Sequence, residues 1–317
     1  GAYPGGLTFD HRSVAAAHRA RRPGNPSPDP NRRIRTEVVV YWAVMKGKPM
    51  TLKSFAGPVL RRALAGTSLA LGLLLPAAPV LAAGGLNPDA DEILRSMSKF
   101  LAGTPAFSVN ADVSFEFMTV DAQKLQLNSR ATVLIERPSK FHATRQGRFA
   151  DTELFFDGSQ VTIYGKTLKA YVQQDLKGSI DDAIRALEAS SGLALPGADL
   201  LLSDPYAVLA AGATSSGYHG LAVVGGVKAH HLAFRTPIVD WQIWVQDGDQ
   251  PLPLKYVVTT KRLTGAPQYS VQLSQWNLKP AIPAGRFKFV APPGVEKLKA
   301  LPVDSTGEIT STEGDRK

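Results

Sequence analysis

The chain has 317 residues and a formal net charge of +9, from 36 Lys and Arg against 27 Asp and Glu. Residues 1–83 hold 12 Lys and Arg and 3 Asp and Glu, whereas residues 84–317 hold 24 of each. A nucleic-acid-binding domain carries surplus cations on its folded surface, so the charge-balanced remainder argues against that class. The absence of cysteine excludes disulfides, thiolate metal sites, a Cys nucleophile and a lipidated N-terminal Cys.

The first 83 residues divide into two unlike pieces. Residues 1–49 are rich in Arg and Pro, a composition that predicts a disordered extension. The sequence leaves open whether this extension is translated as part of the native protein. Residues 50–83 have the pattern of a signal peptide, with a start at Met50, a basic stretch, an apolar stretch over residues 63–75 and small residues before position 84. The apolar stretch is shorter than the ~20 residues of a membrane span. We therefore predict export to the periplasm with cleavage, a retained anchor being the alternative.

The exported part, residues 84–300, opens with a predicted helix. Asn87 suits the N-cap, Pro88 suits the first helical position, and Gly103 ends the apolar stripe. Apolar and polar residues then alternate over residues 107–117 and again over residues 125–135. This alternation predicts two long antiparallel strands, each with one buried face.

Shorter patterns predict the rest of the domain. In chain order they are strands at 140–146, 152–156, 160–164 and 169–173, helices at 179–190 and 198–211, and strands at 218–224, 227–235, 241–246, 254–263, 269–278 and 286–290. Asp204 and Pro205 can break or restart the second of these helices. The predicted fold class is α+β, a strongly curved antiparallel sheet or incomplete β-barrel of about ten strands wrapped over helices. Residues 301–317 predict a disordered tail.

No motif in the exported part supports catalysis, a cofactor or a metal. The G-K-T at residues 165–167 lacks the first Gly of a P-loop, the S-x-x-K at residues 96–99 lacks its partner motifs, and neither G-x-S-x-G nor H-E-x-x-H occurs. His230 and His231 are neighbours on a strand and point to opposite faces, so they cannot share one metal. We expect a protein that is not an enzyme and has no cofactor, with a hydrolase of unfamiliar type as the weakest alternative.

A curved sheet with an apolar inner face either packs solid or leaves a cavity for an apolar ligand, and periodicity alone does not decide between them. Trp241 shares a face with Ile243, whereas Trp244 lies on the other face and is a candidate for an exposed or cavity-rim aromatic. The candidate ligand-binding residues are Phe107, Val113, Phe115, Val133, Ile135, Tyr206, Trp241 and Trp244.

Several blocks resemble the periplasmic lipoprotein carrier family LolA. E-R-P-S-K-F at residues 136–141, with D-G-S-Q-V-T-I-Y at residues 157–164, is similar to the K-R-P-x-x-F … D-G-K-x-L-x-x-Y run of that family. D-P-Y-A-V-L at residues 204–209 resembles its helical T-P-F-x-x-I segment, and F-K-F-V-A-P-P-G-V at residues 287–295 resembles its closing strands. The blocks occur in the same order.

Two further blocks are closer to an uncharacterised family of predicted periplasmic proteins related to that fold. They are L-P-G-A-D-L-L-L-S-D-P-Y at residues 195–206 and V-D-W-Q-I-W at residues 239–244. The resemblance to the LolA family implies an incomplete barrel with an α-helical lid and a cavity for acyl chains. It also implies that Arg137, at the Arg of K-R-P, hydrogen-bonds the lid and holds it closed, a solvated strand-end Arg being the alternative.

The resulting hypothesis is a monomeric periplasmic carrier or binding protein for an acyl chain, a lipoprotein or another apolar ligand. The alternative is an envelope sensor or protein-interaction module with a filled core. Such a module would bind an envelope protein through an exposed sheet edge or through the face that carries Trp244.

Overall fold

The computed structural model describes residues 85–119, 121–147, 151–191 and 197–301. The predicted extension, the predicted signal peptide and the tail beyond residue 301 lie outside these residues. In chain order the elements are α1 (Pro88–Gly103), β1 (Ala106–Met118), β2 (Lys124–Glu136), β3 (Lys140–Gln146), β4 (Asp151–Phe156), β5 (Gln160–Gly165), β6 (Ala170–Asp175), α2 (Ile180–Ser191), a 3-10 helix (Ala198–Leu201), α3 (Pro205–Leu209), β7 (Ser215–Val224), β8 (Val227–Arg235), β9 (Val239–Gln246), β10 (Pro253–Thr260), β11 (Gln268–Asn277) and β12 (Glu296–Lys297). No helix in this described part is long and apolar enough to cross a membrane.

All the described strands join one sheet in the order β12-β6-β5-β4-β3-β2-β1-β11-β10-β9-β8-β7. Two antiparallel meanders, β1–β6 and β7–β11, therefore lie side by side and are joined by the antiparallel pair of β1 and β11. The short β12 runs parallel to β6. The order leaves an edge at β12 and another at β7, so the described sheet is not closed. The predicted fold class is confirmed as α+β with a curved, incomplete antiparallel barrel.

Helix α1 fills the inner face of one half of the sheet. Asn87 Oδ1 accepts a hydrogen bond from the Ala90 backbone N–H at 2.9 Å and caps the helix as predicted. The apolar stripe of α1 lies against β7, β8 and β9. The inner-face residues at most 6% exposed on β8–β11 are Leu232, Phe234, Trp241, Ile243, Val245, Tyr256, Val258, Tyr269 and Val271. These inner-face side chains are therefore covered by packing.

Three predicted elements differ from the structure. The strand predicted at residues 286–290 is wrong, because Arg286 N–H donates to the Pro283 carbonyl and Lys288 N–H to the Gly285 carbonyl, which turns the chain there. The helix predicted at residues 198–211 is instead a 3-10 turn and the short α3, since Asp204 caps a new helix start. The strand predicted at residues 254–263 ends at Thr260.

Helix α2 begins at a reciprocal capping arrangement. The Ser179 N–H and Oγ donate to Asp182 Oδ2 at 2.9 and 2.7 Å, and the Asp182 N–H donates to Ser179 Oγ at 3.2 Å. Arg185 Nη2 donates to Asp182 Oδ1 at 3.0 Å. The hydrogen bonds from Ser179, followed by that from Arg185, lower the pKa of Asp182 to about 2.

Asp182→Asn is expected to lower the melting temperature at neutral pH, because it removes the charge that favours this helix start. The pKa of Asp182 lies below its ordinary 3.8 in the folded protein. The stabilisation is therefore present above about pH 4 and is lost as the pH falls toward about 2. Thermal unfolding curves of the two proteins should converge at acid pH, and a constant offset would contradict this origin. Asp89→Asn, in the first turn of α1, is the matched control and should give a smaller offset.

Candidate ligand-binding surface

A continuous apolar row crosses the inner face of β2–β6. In the register of the sheet Val133 pairs with Ala143, Ala143 with Leu154, Leu154 with Ile163, and Ile163 with Val172. Directly paired residues point to the same face of a sheet. All five side chains are half-buried. The row therefore presents apolar area that the fold itself does not cover completely.

The same apolar area continues along β2. Leu125, Leu127 and Ala131 alternate with exposed polar residues and are also half-buried, as is Val113 on β1. We call the whole set the inner apolar surface. Its members are Val113, Leu125, Leu127, Ala131, Val133, Ala143, Leu154, Ile163 and Val172.

The neighbouring row of the same strands is fully covered. Its members, at most 6% exposed, are Ile135, Phe141, Phe156 and Val161. They share one core cluster with the buried face of α2, which consists of Ile180, Ala183, Ile184 and Leu187. Moving two residues along each strand thus changes the inner face from closed packing to half-open apolar surface.

The predicted ligand-binding residues separate into distinct groups. Val113 and Val133 lie on the inner apolar surface. Phe107, Phe115, Ile135 and Trp241 are core residues no more than 8% exposed. Their burial follows from packing against other side chains, so they support the surface and do not form it. Phe107, for example, has its ring centroid 5.3 Å from that of Trp276.

Trp244 lies on the opposite face of the sheet from Trp241. Its ring stacks on His231 at 4.2 Å with an interplanar angle of 8°, and Lys255 Nζ lies 5.2 Å from its centroid. His231 and Lys255 are its direct neighbours on β8 and β10. Because the two Trp residues point to opposite faces, they cannot line one cavity. The prediction that both belong to one ligand site is therefore wrong.

Tyr206 joins α3 to α1. Its hydroxyl donates to Asp91 Oδ1 at 2.5 Å, and the Arg95 guanidinium lies 3.9 Å from its ring centroid while also bonding Asp91. The hydrogen bond from Tyr206, and then that from Arg95, hold the pKa of Asp91 below its ordinary value. Tyr206 therefore positions a helix, and its half-buried ring packs against the core.

Tyr206→Phe should destabilise the protein by about 1 kcal/mol, since it removes one hydrogen bond and keeps the ring. It should also raise the pKa of Asp91. Carbon-detected NMR titration of the side-chain carboxyl groups measures this. An Asp91 titration identical in both proteins would show that the hydroxyl does not act on this carboxylate.

Arg137 connects the end of β2 to the segment between α2 and α3. Its Nη1 donates to the Leu201 carbonyl at 2.9 Å, while Nε and Nη2 are buried with no partner among the described residues. Burial lowers the pKa of Arg137, an effect that Asp181 partly opposes. Asp181 in turn accepts hydrogen bonds from Ser203 N–H and Oγ at 2.9 and 2.7 Å. Two contacts thus fasten the chain at the C-terminal end of the 3-10 helix and just beyond it.

Seven members of the surface were missed as ligand-binding residues, namely Leu125, Leu127 and Ala131 on β2 and the four on β3–β6, which are Ala143, Leu154, Ile163 and Val172. The alternation in the short strands marked Leu154 and Ile163 as inward-facing. The register that aligns all four with Val133 was readable from the tight turns between β3, β4, β5 and β6.

Among the described residues, no group of three or more His, Asp or Glu is placed to hold a metal.

An open antiparallel sheet with helices and a half-open apolar surface on its inner face defines an α+β protein of the incomplete-barrel class. Residues 90–301 match the family described as "Predicted periplasmic protein (DUF2092)". The chain belongs to this family, which confirms the family predicted from the sequence. The description of this family is thus that of predicted periplasmic proteins.

Solved structures similar to the chain share little sequence with it. An uncharacterised conserved protein from Thermus thermophilus is 12% identical, with 66% of this chain and 98% of that one covered and a TM-score of 0.39. The lipoprotein LppX from Mycobacterium tuberculosis is 14% identical, with coverages of 62% and 98% and a TM-score of 0.32. A LolA superfamily protein from Nitrosomonas europaea is 10% identical, with coverages of 63% and 97% and a TM-score of 0.33. At these sequence identities and TM-scores, the function of a similar structure is not transferred to this chain. No curated protein matches the chain.

Proposed function

We propose that the protein is a non-catalytic periplasmic binding or carrier protein for an acyl chain, a lipoprotein or another apolar ligand. The observation that carries this proposal is the inner apolar surface, a connected set of aliphatic side chains that the helices leave half-exposed. Connected apolar area of this kind is typical of ligand grooves and contact sites in folded proteins. Its shape, a row across five strands, suits an extended aliphatic chain.

The physical basis of binding is hydrophobic. Each CH₂ group that leaves water contributes about 0.8 kcal/mol, so affinity should increase with chain length. A carrier must also release its cargo, and movement of a covering segment away from the surface would remove part of that burial. The segment that Arg137 fastens is the candidate cover.

The experiment is lipid recovery and uptake by the mature protein, expressed from Met50 and purified after export. Binding predicts lipid in an organic extract and saturable uptake of a fluorescent fatty acid by the delipidated protein. A protein that carries no lipid and takes up no fatty acid would contradict the proposal. Affinity for a series of fatty acids of increasing length gives the second readout, because a purely polar site would show no dependence on length.

Arg137→Met should speed dissociation of the fluorescent fatty acid, because the bond to the Leu201 carbonyl is lost and only the contact of Ser203 with Asp181 then fastens this part of the chain. We expect an increase of about tenfold, the equivalent of one hydrogen bond of ~1.4 kcal/mol. Stopped-flow displacement measures the rate. Arg130→Met is the control, since Arg130 lies on β2, the strand that ends just before Arg137, but is exposed and pairs with Asp112 at 2.8 Å. Equal rates for the two variants would contradict a latch at Arg137.

A second candidate function is protein interaction at the edge strand β7. Leu221 and Val223 are 57% and 69% exposed there, next to the open edge of the sheet. Exposed apolar side chains on an unpaired edge favour addition of a partner strand. The face of the sheet that carries Trp244 is the other candidate surface. Val223→Lys tests the β7 edge and Trp244→Ala tests the Trp244 face, each in pull-downs from the periplasm. A partner retained by both variants would rule out both surfaces.

A further inference from the structure

A pocket lies on the other face of the strands that carry the inner apolar surface. Its volume is about 710 Å³, within the range of small-molecule pockets. Its floor is formed by β3, β4, β5 and the turn after β5, and its wall by residues 283–292, a segment that crosses the outside of the sheet. We call it the outer pocket. Because the sheet separates it from the inner apolar surface, one molecule cannot occupy both.

The wall segment is held in place by aromatic packing. The Phe289 ring centroid lies 5.4 Å from those of Phe155 and Tyr164 and 4.8 Å from that of Tyr171. Beyond it, β12 pairs with β6. The pocket is therefore a formed feature between the sheet and this segment.

The charges that line the outer pocket are unequal. Its cations are Lys166, Arg286 and Lys288, and its one acid is Glu153. Glu153 is already engaged, because Lys166 Nζ forms an ion pair with its Oε1 and His142 Nε2 lies 3.4 Å from its Oε2. No described acid forms an ion pair with Arg286 or Lys288, although the charge of Lys288 helps to lower the pKa of Asp157.

His142 adds no positive charge to this balance at neutral pH. Its side chain is only 4% exposed, and burial lowers its pKa, with Arg286 and Lys166 acting in the same direction against the hydrogen bond of Glu153. The ring lies 4.5 Å from that of Phe155. The pocket therefore combines two cations that form no ion pair with a described acid, on the wall, with aromatic side chains at the floor.

We propose that the outer pocket binds a small anion that has a flat apolar body, such as an aromatic phosphate or carboxylate. Arg286 and Lys288 hold the anionic group, since guanidinium and ammonium groups are the usual partners of phosphate and carboxylate. Phe155, Tyr164 and Phe289 contact the ring. The site is independent of the proposed carrier function, because it uses the opposite face of the sheet.

The test is calorimetric titration of the mature protein with phenyl phosphate and benzoate, alongside inorganic phosphate and benzyl alcohol. Both aromatic anions should bind at least about tenfold more tightly than benzyl alcohol, and phenyl phosphate more tightly than inorganic phosphate. Absence of binding by both aromatic anions, or equal binding of the neutral alcohol, would overturn the proposal.

Variants of opposite expected sign locate the binding. Arg286→Ala combined with Lys288→Ala should weaken phenyl phosphate at least about tenfold, whereas Glu153→Gln should tighten it by about threefold or more, because it frees Lys166. The control combines Lys228→Ala with Arg262→Ala, two exposed cations away from the pocket, and should leave affinity unchanged. An equal loss in the control pair would show a general charge effect, and weaker binding by Glu153→Gln would show that freeing Lys166 does not favour the anion; either result would overturn the site. Fatty-acid uptake should be unchanged in all of these variants.

Discussion

Phe107→Ala is expected to destabilise the protein by about 3–5 kcal/mol, the range for removal of a buried aromatic ring. Phe107 is 0% exposed, its direct neighbour on β2 is Ile135, and its ring packs on Trp276. The cavity left by the ring lies where several core side chains meet, so nearby atoms cannot fill it without moving the sheet. Urea unfolding of the delipidated protein should show a clearly lower midpoint.

Val113→Ala is the matched control for this substitution. Val113 is on the same strand and on the same face as Phe107 but belongs to the half-buried inner apolar surface. Its truncation removes fewer contacts and should cost less than about 1.5 kcal/mol. An equal loss of stability for both variants would show that Val113 is packed as tightly as Phe107 and does not belong to a half-buried surface.

Leu154→Asp should lower the affinity for a fluorescent fatty acid by about ten- to one-hundredfold, the equivalent of placing an unpaired polar group against the chain at ~1–3 kcal/mol. Leu154 is the central residue of the row from Val133 to Val172. Because the site is half-exposed, the free protein can hydrate the new carboxylate and should remain folded. Binding titrations and circular dichroism of the same preparation measure both properties.

Val223→Asp is the control for the added charge. Val223 is an aliphatic residue that is 69% exposed on the edge strand β7, away from β2–β6. It should leave fatty-acid affinity unchanged. Retained affinity in Leu154→Asp, or an equal loss in Val223→Asp, would contradict binding on the inner apolar surface.

The long strands and the first helix were predictable because each carries its own signal. β1 and β2 each span 13 residues, apolar and polar residues alternate along most of each strand, and the Asn87 cap is local. The β7–β8 turn was predictable for the same reason, since Gly225 and Gly226 have φ of 58° and 84°, which favour glycine. The fold class and the succession of hairpins within each meander follow largely from such local signals, whereas the pairing of β1 with β11 does not.

The candidate surface was less predictable because coverage is a tertiary property. Val133 and Ile135 have the same alternation and face the same side of β2, yet only Ile135 is closed by packing. The difference depends on where α2 lies on the sheet, which no local pattern encodes. The same limit explains Phe289, whose apolar neighbours suggested a strand, although it anchors an irregular segment on the outside of the sheet.

The most direct test of the carrier account is photo-crosslinking of the mature protein with a fatty acid that carries a diazirine near its methyl end. Digestion and mass spectrometry then identify the labelled residues. The account predicts adducts on the inner apolar surface, chiefly around Val133, Leu154 and Ile163, that disappear when an unlabelled fatty acid competes. Adducts confined to the outer face around Trp244, or to the exposed edge at Val223, would contradict it.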